Sequence, residues 1–148
     1  MEFEKCLSRL QKLCSKAEYC RSDVYRKALK DLEGDATAAG EVAKKLVEER
    51  YVDDARYASA FAREKSSLQG WGPVKIRYML KGKGISDADI ASGLADISDE
   101  AAYAKLVKLL QAKARTLEGD PQFKLKLIKF GLSRGYEYSD VEEAISKI

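Results

Sequence analysis

The feature that most limits how this chain can fold is a repeat of roughly fifty residues. Setting Gly84 on Gly135 brings Leu80 onto Gly131, Met79 onto Phe130 and Ile76 onto Leu127. The same offset of 51 carries Asp89-Ile90 onto Asp140-Val141 and Leu94 onto Ile145. An offset of 48 places Leu32, Glu41-Val42 and Leu46 on Leu80, Asp89-Ile90 and Leu94. Three copies tile the chain, 1–52, 53–98 and 99–148, each with room for three helices. A repeat whose helices bury a single stripe needs its neighbours for a core. The expected fold is therefore all-α, an elongated, curved tandem array of three three-helix repeats. Nine helices packed at about 8–10 Å would span on the order of 70–90 Å. A long concave face of that kind suits a polymer or a large partner better than a small molecule.

The helices are read from apolar residues at three- and four-residue spacing. In the first repeat the stripes are Phe3, Cys6, Leu7, Leu10, Leu13, Cys14 and Ala17; then Val24, Ala28, Leu29 and Leu32, capped by Ser22 or Asp23; then Val42, Ala43, Leu46 and Val47. Gly34-Asp35 separates the second from the third. In the second repeat Asp53 and Asp54 open a helix with Tyr57, Ala58, Phe61 and Ala62. Gln69-Gly70-Trp71-Gly72 interrupts it, and Pro73 restarts the pattern at a first helical position. Val74, Ile76, Met79 and Leu80 follow, Gly84 stops them, and Ser86 or Asp87 caps a helix with Ile90, Leu94 and Ile97. In the third repeat Tyr103, Val107, Leu110, Ala114 and Leu117 stripe a helix over 101–117. Asp120-Pro121 starts the next, with Phe123, Leu127, Phe130 and Leu132. Pro121 precedes Gly135 by 14 residues where Pro73 precedes Gly84 by 11, which predicts a middle helix one turn longer. Ser139 caps a last helix with Val141, Ala144, Ile145 and Ile148.

Several function classes find no support. The chain has no histidine, so the usual general base and metal ligand are missing. Cys6, Cys14 and Cys20 match no zinc spacing, and two of them lie on an apolar helix face, where core packing is the better reading. Gly70-x-Gly72 follows no strand and Lys81-Gly82-Lys83-Gly84 is a helix end, so neither is a phosphate loop. No apolar run is long enough for a membrane span, and MEFEKCLSRL mixes charges as a secretory signal does not. No catalytic residue, metal or cofactor is expected.

Charge distribution says more than the net +3. The segment 73–84 holds Lys75, Arg77, Lys81 and Lys83 and no acid; 121–135 holds Lys124, Lys126, Lys129 and Arg134 and no acid; 101–117 adds Lys105, Lys108, Lys113 and Arg115. Such segregation predicts a basic stripe on the second and third repeats, set against the ordinary alternative of a solvated charged face. Asp53 and Asp54 read as helix caps before they read as a metal pair. Arg56 either contacts a partner or pairs with an acid of a neighbouring repeat. Trp71, between two glycines, either plugs a seam between repeats or presents an aromatic to a partner. Tyr136 aligns with Ile85 and is expected buried; Tyr138 aligns with Asp87 and is expected exposed.

The run Tyr51-Val52-Asp53-Asp54-Ala55-Arg56-Tyr57-Ala58, followed by Gly72, Ile76, Leu80 and Lys83-Gly84-Ile85, resembles the signature of the RecX regulatory proteins. The sharp likeness covers about forty residues. It implies a bacterial cytoplasmic protein that docks in the groove of RecA filaments on single-stranded DNA. There it would hinder strand exchange, ATP turnover and repressor self-cleavage, acting as a monomer, without cofactor and without chemistry of its own. Arg56 and the basic residues above are the expected partner contacts, with single-stranded DNA as a possible direct ligand. A helical nucleic-acid-binding module, or an interaction scaffold acting without RecA, is the alternative.

Overall fold

The structure, a computed structural model, describes residues 1–148. It contains nine helices and no strand: α1 (Phe3–Lys16), α2 (Arg21–Asp31), α3 (Ala36–Glu48), α4 (Asp54–Gln69), α5 (Pro73–Gly82), α6 (Asp87–Leu94), α7 (Asp99–Thr116), α8 (Phe123–Ser133) and α9 (Tyr138–Ser146). The all-α repeat fold is the one the periodicity predicts.

Helix starts follow local capping chemistry. Asp35 Oδ1 accepts from the Ala38 amide at 3.0 Å, and Ser98 Oγ from the Ala101 amide at 3.0 Å. Ser86, rather than Asp87, caps α6, accepting from the Asp89 amide at 3.2 Å. Asp53 Oδ1 accepts from the Arg56 amide at 3.1 Å and so caps α4. The Asp54 carboxylate turns elsewhere, accepting from the Arg21 amide at 2.8 Å at the start of α2. In α2 itself Ser22 and Asp23 lie inside the first turn and Cys20 is the cap residue; Asp23 Oδ2 reaches back to the Cys20 amide at 3.4 Å.

The chain forms two compact units, Met1–Ala60 with Lys81–Gly93, and Phe61–Leu80 with Leu94–Ile148. In the first, Cys6, Leu7 and Leu10 of α1, Val24 and Ala28 of α2, and Ala39, Val42, Ala43 and Leu46 of α3 share one core with Val52. Leu10 and Leu46 are wholly buried, each contributing roughly 1.5–3 kcal/mol of apolar burial. Val47, assigned to that stripe from its spacing, is exposed instead. It lies about 100° from Leu46, at the edge of the buried arc.

The second unit is built on Leu106, Leu110 and Leu117 of the α7 region, Leu127 of α8, Tyr136, and Val141 and Ala144 of α9. Here five expectations change. Helix α7 begins at Asp99, so its first turn carries Asp99 and Glu100 against the positive end of the dipole, and it is not free of acids. Helix α8 has 11 residues against 10 in α5, because Pro121 and Gln122 form a turn before it and not a further helical turn. Asp120 is satisfied within that turn, accepting from the Gln122 amide at 2.8 Å. Leu132 and Ile148 are 43% and 47% exposed. Ile97 lies beyond the end of α6, and Ser139 lies inside α9, whose cap residue is Glu137.

The loop 69–72 is clasped by the turn after α8. The Gly72 amide donates to the Arg134 carbonyl at 2.7 Å and the Val74 amide to the Gly135 carbonyl at 2.9 Å. The buried Tyr136 hydroxyl donates to the Gly70 carbonyl at 3.1 Å, and Arg134 Nη2 to the Gln69 carbonyl. The backbones meet so closely that a Cβ on Gly72 would sit 2.4 Å from the Gly135 carbonyl oxygen.

Candidate partner-binding surface

Helix α5 supplies the most informative face. Pro73 presets its first turn, and Ile76 and Leu80 point inward at 1% and 0% exposure. At 100° per residue, Val74, Arg77, Tyr78 and Lys81 then fall on the opposite side. Tyr78 is 76% exposed and Arg77 joins no hydrogen bond or ion pair. The corresponding residues of α8, 51 further on, are Leu125, Lys129 and Leu132, which are exposed, and Ile128, which is half-buried. The residues 48 earlier, on α2 and just after it, are the exposed, charged Arg26, Lys30 and Glu33 and the half-buried Leu29. Exposed apolar groups on the middle helix therefore occur in the second and third repeats and are replaced by a solvated face in the first. Tyr, Trp and Arg with uncovered apolar neighbours make the kind of surface that anchors a protein partner.

The eleven cationic candidates separate into engaged and free. Arg56 Nε donates to Glu18 Oε2 at 2.6 Å and its Nη2 to the Tyr51 carbonyl at 3.2 Å; of its two sequence readings, pairing with an acid of another repeat is the one realised. Lys83 pairs with Asp23 at 3.2 Å, its ammonium 5.6 Å from the centre of the Tyr57 ring. Burial would lower the Lys83 pKa, but the hydrogen bond and charge of Asp23 outweigh it and hold it above its usual value. Lys81 meets Asp87 at 3.2 Å, and Lys126 meets Asp120 at 2.7 Å. Lys105 donates to the Ser67 carbonyl at 3.1 Å, Arg134 to the Gln69 carbonyl, and Lys75 lies 4.3 Å from the Trp71 ring centre. Arg77, Lys108, Lys124 and Lys129 are exposed with no such partner, and all four belong to the second unit. That unit has 13 Lys and Arg against 10 Asp and Glu, whereas the first has 14 against 14. The net charge of the chain resides in the second unit.

Trp71 is half-buried, edge-to-face with Phe61 at 6.1 Å between centroids, with Lys65 and Lys75 over its ring. Tyr136 is buried and Tyr138 is 52% exposed, as their alignment predicts. Sequence reasoning did not single out Tyr78. The signal was available: Tyr78 follows Ile76 by two residues, about 200° round the helix from a buried position. The three thiols are raised in pKa chiefly by burial, Cys6 to about 11, which keeps them protonated and poorly nucleophilic near neutral pH. No group of three or more His, Cys, Asp or Glu side chains is placed to hold a metal ion. No helix is long and apolar enough to cross a membrane.

Residues 53–94, which contain α4, α5 and α6, match the family model described as "RecX, second three-helix domain". Proteins named "Regulatory protein RecX" align over most of the chain. That of Halalkalibacterium halodurans is 32% identical over 109 residues, 72% of this chain and 41% of the relative. That of Clostridium botulinum is 34% identical over 106 residues, 69% of this chain and 49% of the relative. The crystal structure of a regulatory protein RecX superposes with a TM-score of 0.87 at 25% identity, over 97% of this chain and 71% of that one. This chain belongs to the RecX family. The crystal structure of RecX from Lactobacillus salivarius shares the fold, with a TM-score of 0.84 over 98% of this chain and 95% of that one at 23% identity. The matched segments make up less than half the length of these curated RecX relatives. Arg56, Lys75, Arg77, Lys81 and Lys83 lie within the segment that matches the RecX domain; the candidates of α7 and α8 lie outside it.

Proposed function

We propose that this chain modulates the RecA recombinase by binding RecA filaments formed on single-stranded DNA. The observation that carries this reading is the uncovered face of α5, Val74, Arg77, Tyr78 and Lys81, within the segment that matches the RecX domain. The middle helices of the second and third repeats, 53–98 and 99–148, each present exposed apolar and basic groups, so weak contacts with successive protomers add through effective concentration. Seated in the filament groove, the chain competes with incoming duplex and restrains strand exchange and ATP turnover. Its action is physical, with no catalysis of its own, and it works as a monomer in the cytoplasm. Of the eleven candidates, Arg77, Lys108, Lys124 and Lys129 make the partner contacts; Arg56, Lys83 and Arg134 hold the chain's own elements together.

Co-sedimentation with RecA on single-stranded DNA, beside DNA alone and RecA alone, tests the reading. Binding that needs both RecA and nucleotide, with slower RecA ATP hydrolysis at saturation, is the expected result. Unchanged RecA turnover at saturating protein contradicts it. The free cations and the charge excess of the second unit favour one second reading, direct contact with a nucleic-acid backbone. That reading requires comparable binding to bare DNA and a steep fall with salt.

A further inference from the structure

A cavity of about 170 Å³ opens in the second unit beside Trp71, walled by Ile76, Leu94, Ile97 and Ala102. An apolar cavity near 150 Å³ accepts a group the size of benzene, so this one takes a single side chain of leucine to phenylalanine size. Arg77 lines it without an ion pair of its own. Lys65 and Lys75, 5.1 and 4.3 Å from the Trp71 ring centre, add positive charge beside it. Asp99 lines it as well, in the first turn of α7, where the helix dipole favours a carboxylate. It can accept an incoming backbone N–H. The walls are firm: the Trp71 amide donates to the Lys65 carbonyl at 2.9 Å, and the flanking glycines are held by the turn after α8.

We propose that this cavity receives one aliphatic or aromatic side chain of an acidic protein segment, with a neighbouring carboxylate of that segment set on Arg77. A nucleobase fits less well. Stacking needs an open flat face, whereas two ammonium groups lie over the indole and no other aromatic ring lines the cavity. The inference deepens the proposal that the chain binds a protein filament, and rests on it only for the partner's identity.

Trp71 is the sole tryptophan, so its indole N–H resonance and its fluorescence report on this site alone. The full chain is titrated with acetyl-Asp-Leu-Asp-amide, acetyl-Asp-Ala-Asp-amide, acetyl-Lys-Leu-Lys-amide and oligothymidylate. The Asp-Leu-Asp peptide should shift the Trp71 signal saturably, with the alanine peptide about tenfold weaker or more for the missing apolar atoms. The lysine peptide should also be weaker. Ala102→Leu, which fills the cavity, should abolish the shift. Arg77→Gln, at an exposed position, should leave the fold intact and weaken the preference for acid over base, Lys65 and Lys75 remaining beside the cavity. Equal shifts from the leucine and alanine peptides, or a shift from oligothymidylate alone, overturn the inference. The same variants are then sedimented with RecA filaments. Peptide binding by a chain that ignores filaments keeps the cavity assignment and removes RecA as partner. A chain that sediments equally well with and without Ala102→Leu removes the cavity assignment and keeps RecA.

Discussion

Lys83-Gly84-Ile85 and Arg134-Gly135-Tyr136 occupy matching positions 51 residues apart, and each fastens a turn to an earlier helix start. Both glycines have positive φ, 77° and 95°, and both following residues are buried, Ile85 at 3% and Tyr136 at 4%. The fastenings differ in kind. At Lys83 they involve side chains: Ser22 Oγ donates to the Lys83 carbonyl at 2.6 Å and Lys83 Nζ pairs with Asp23 at 3.2 Å. At Arg134 they are mostly main chain, with the Arg134 and Gly135 carbonyls both accepting amides. One sequence signal, a basic residue followed by Gly, thus serves a charge-dependent joint in one repeat and a close-packed backbone joint in the next.

The largest expected effect separates the glycines. Gly135→Ala puts a Cβ 2.3 Å from that of Lys75 and forces a left-handed backbone. Overpacking and strain together should cost roughly 3 kcal/mol or more. Gly84→Ala meets nothing within 4 Å and should cost only the backbone term, roughly 1–2 kcal/mol. Denaturant melts of the two variants check the difference; equal losses would mean that the two joints are packed alike.

Tyr136→Phe comes next. It leaves the Gly70 carbonyl without its buried donor, and a loss of roughly 1–2 kcal/mol in the same melts is expected. No loss would show that water replaces the hydroxyl and that the clasp is looser than its geometry.

The charge-dependent joint should carry a pH signature that the backbone joint lacks. Burial would raise the Asp23 pKa, but hydrogen bonds from Cys20 and Lys83 and the charge of Lys83 bring it below its ordinary 3.8. A depressed carboxylate stabilises the fold above its unfolded pKa, and the contribution is lost as pH falls through the folded value. The raised Lys83 pKa works oppositely: its contribution is present below 10.5 and lost as pH rises past the folded value. Lys83→Met should therefore cost about 1 kcal/mol or less at neutral pH, given partial screening, and progressively less below pH 3.8. Arg134→Met removes a bond to a carbonyl, which does not titrate in that range, so its cost should hold in acid. Parallel acid limbs for the two variants would erase the distinction.

The smallest stability effects belong to the free cations. Lys108→Gln, Lys124→Gln and Lys129→Gln should each shift unfolding by no more than about 0.5 kcal/mol. A loss above 1 kcal/mol at any of them would move it into the engaged set with Lys83 and Arg134.

The chain's own sequence determined the helices and the period. Apolar stripes, the caps Asp35, Asp53, Ser86 and Ser98, Pro73 and Gly84 act within a few residues of themselves, and local patterns of that range can be read one segment at a time. It also determined that Ile85 and Tyr136 turn inward and that Tyr138 does not. Only the tertiary structure decided how each polar group is used. Asp53 caps its own helix while Asp54, beside it, caps α2, 33 residues away in sequence. Arg56 finds Glu18 at a separation of 38 residues and Lys83 finds Asp23 at 60. The eleven cationic candidates therefore became seven engaged groups and four free ones. A charge announces itself in sequence, but its partner is set by whichever element packs alongside. The exposure of Tyr78 and Leu132, too, depends on which arc of each helix meets the core.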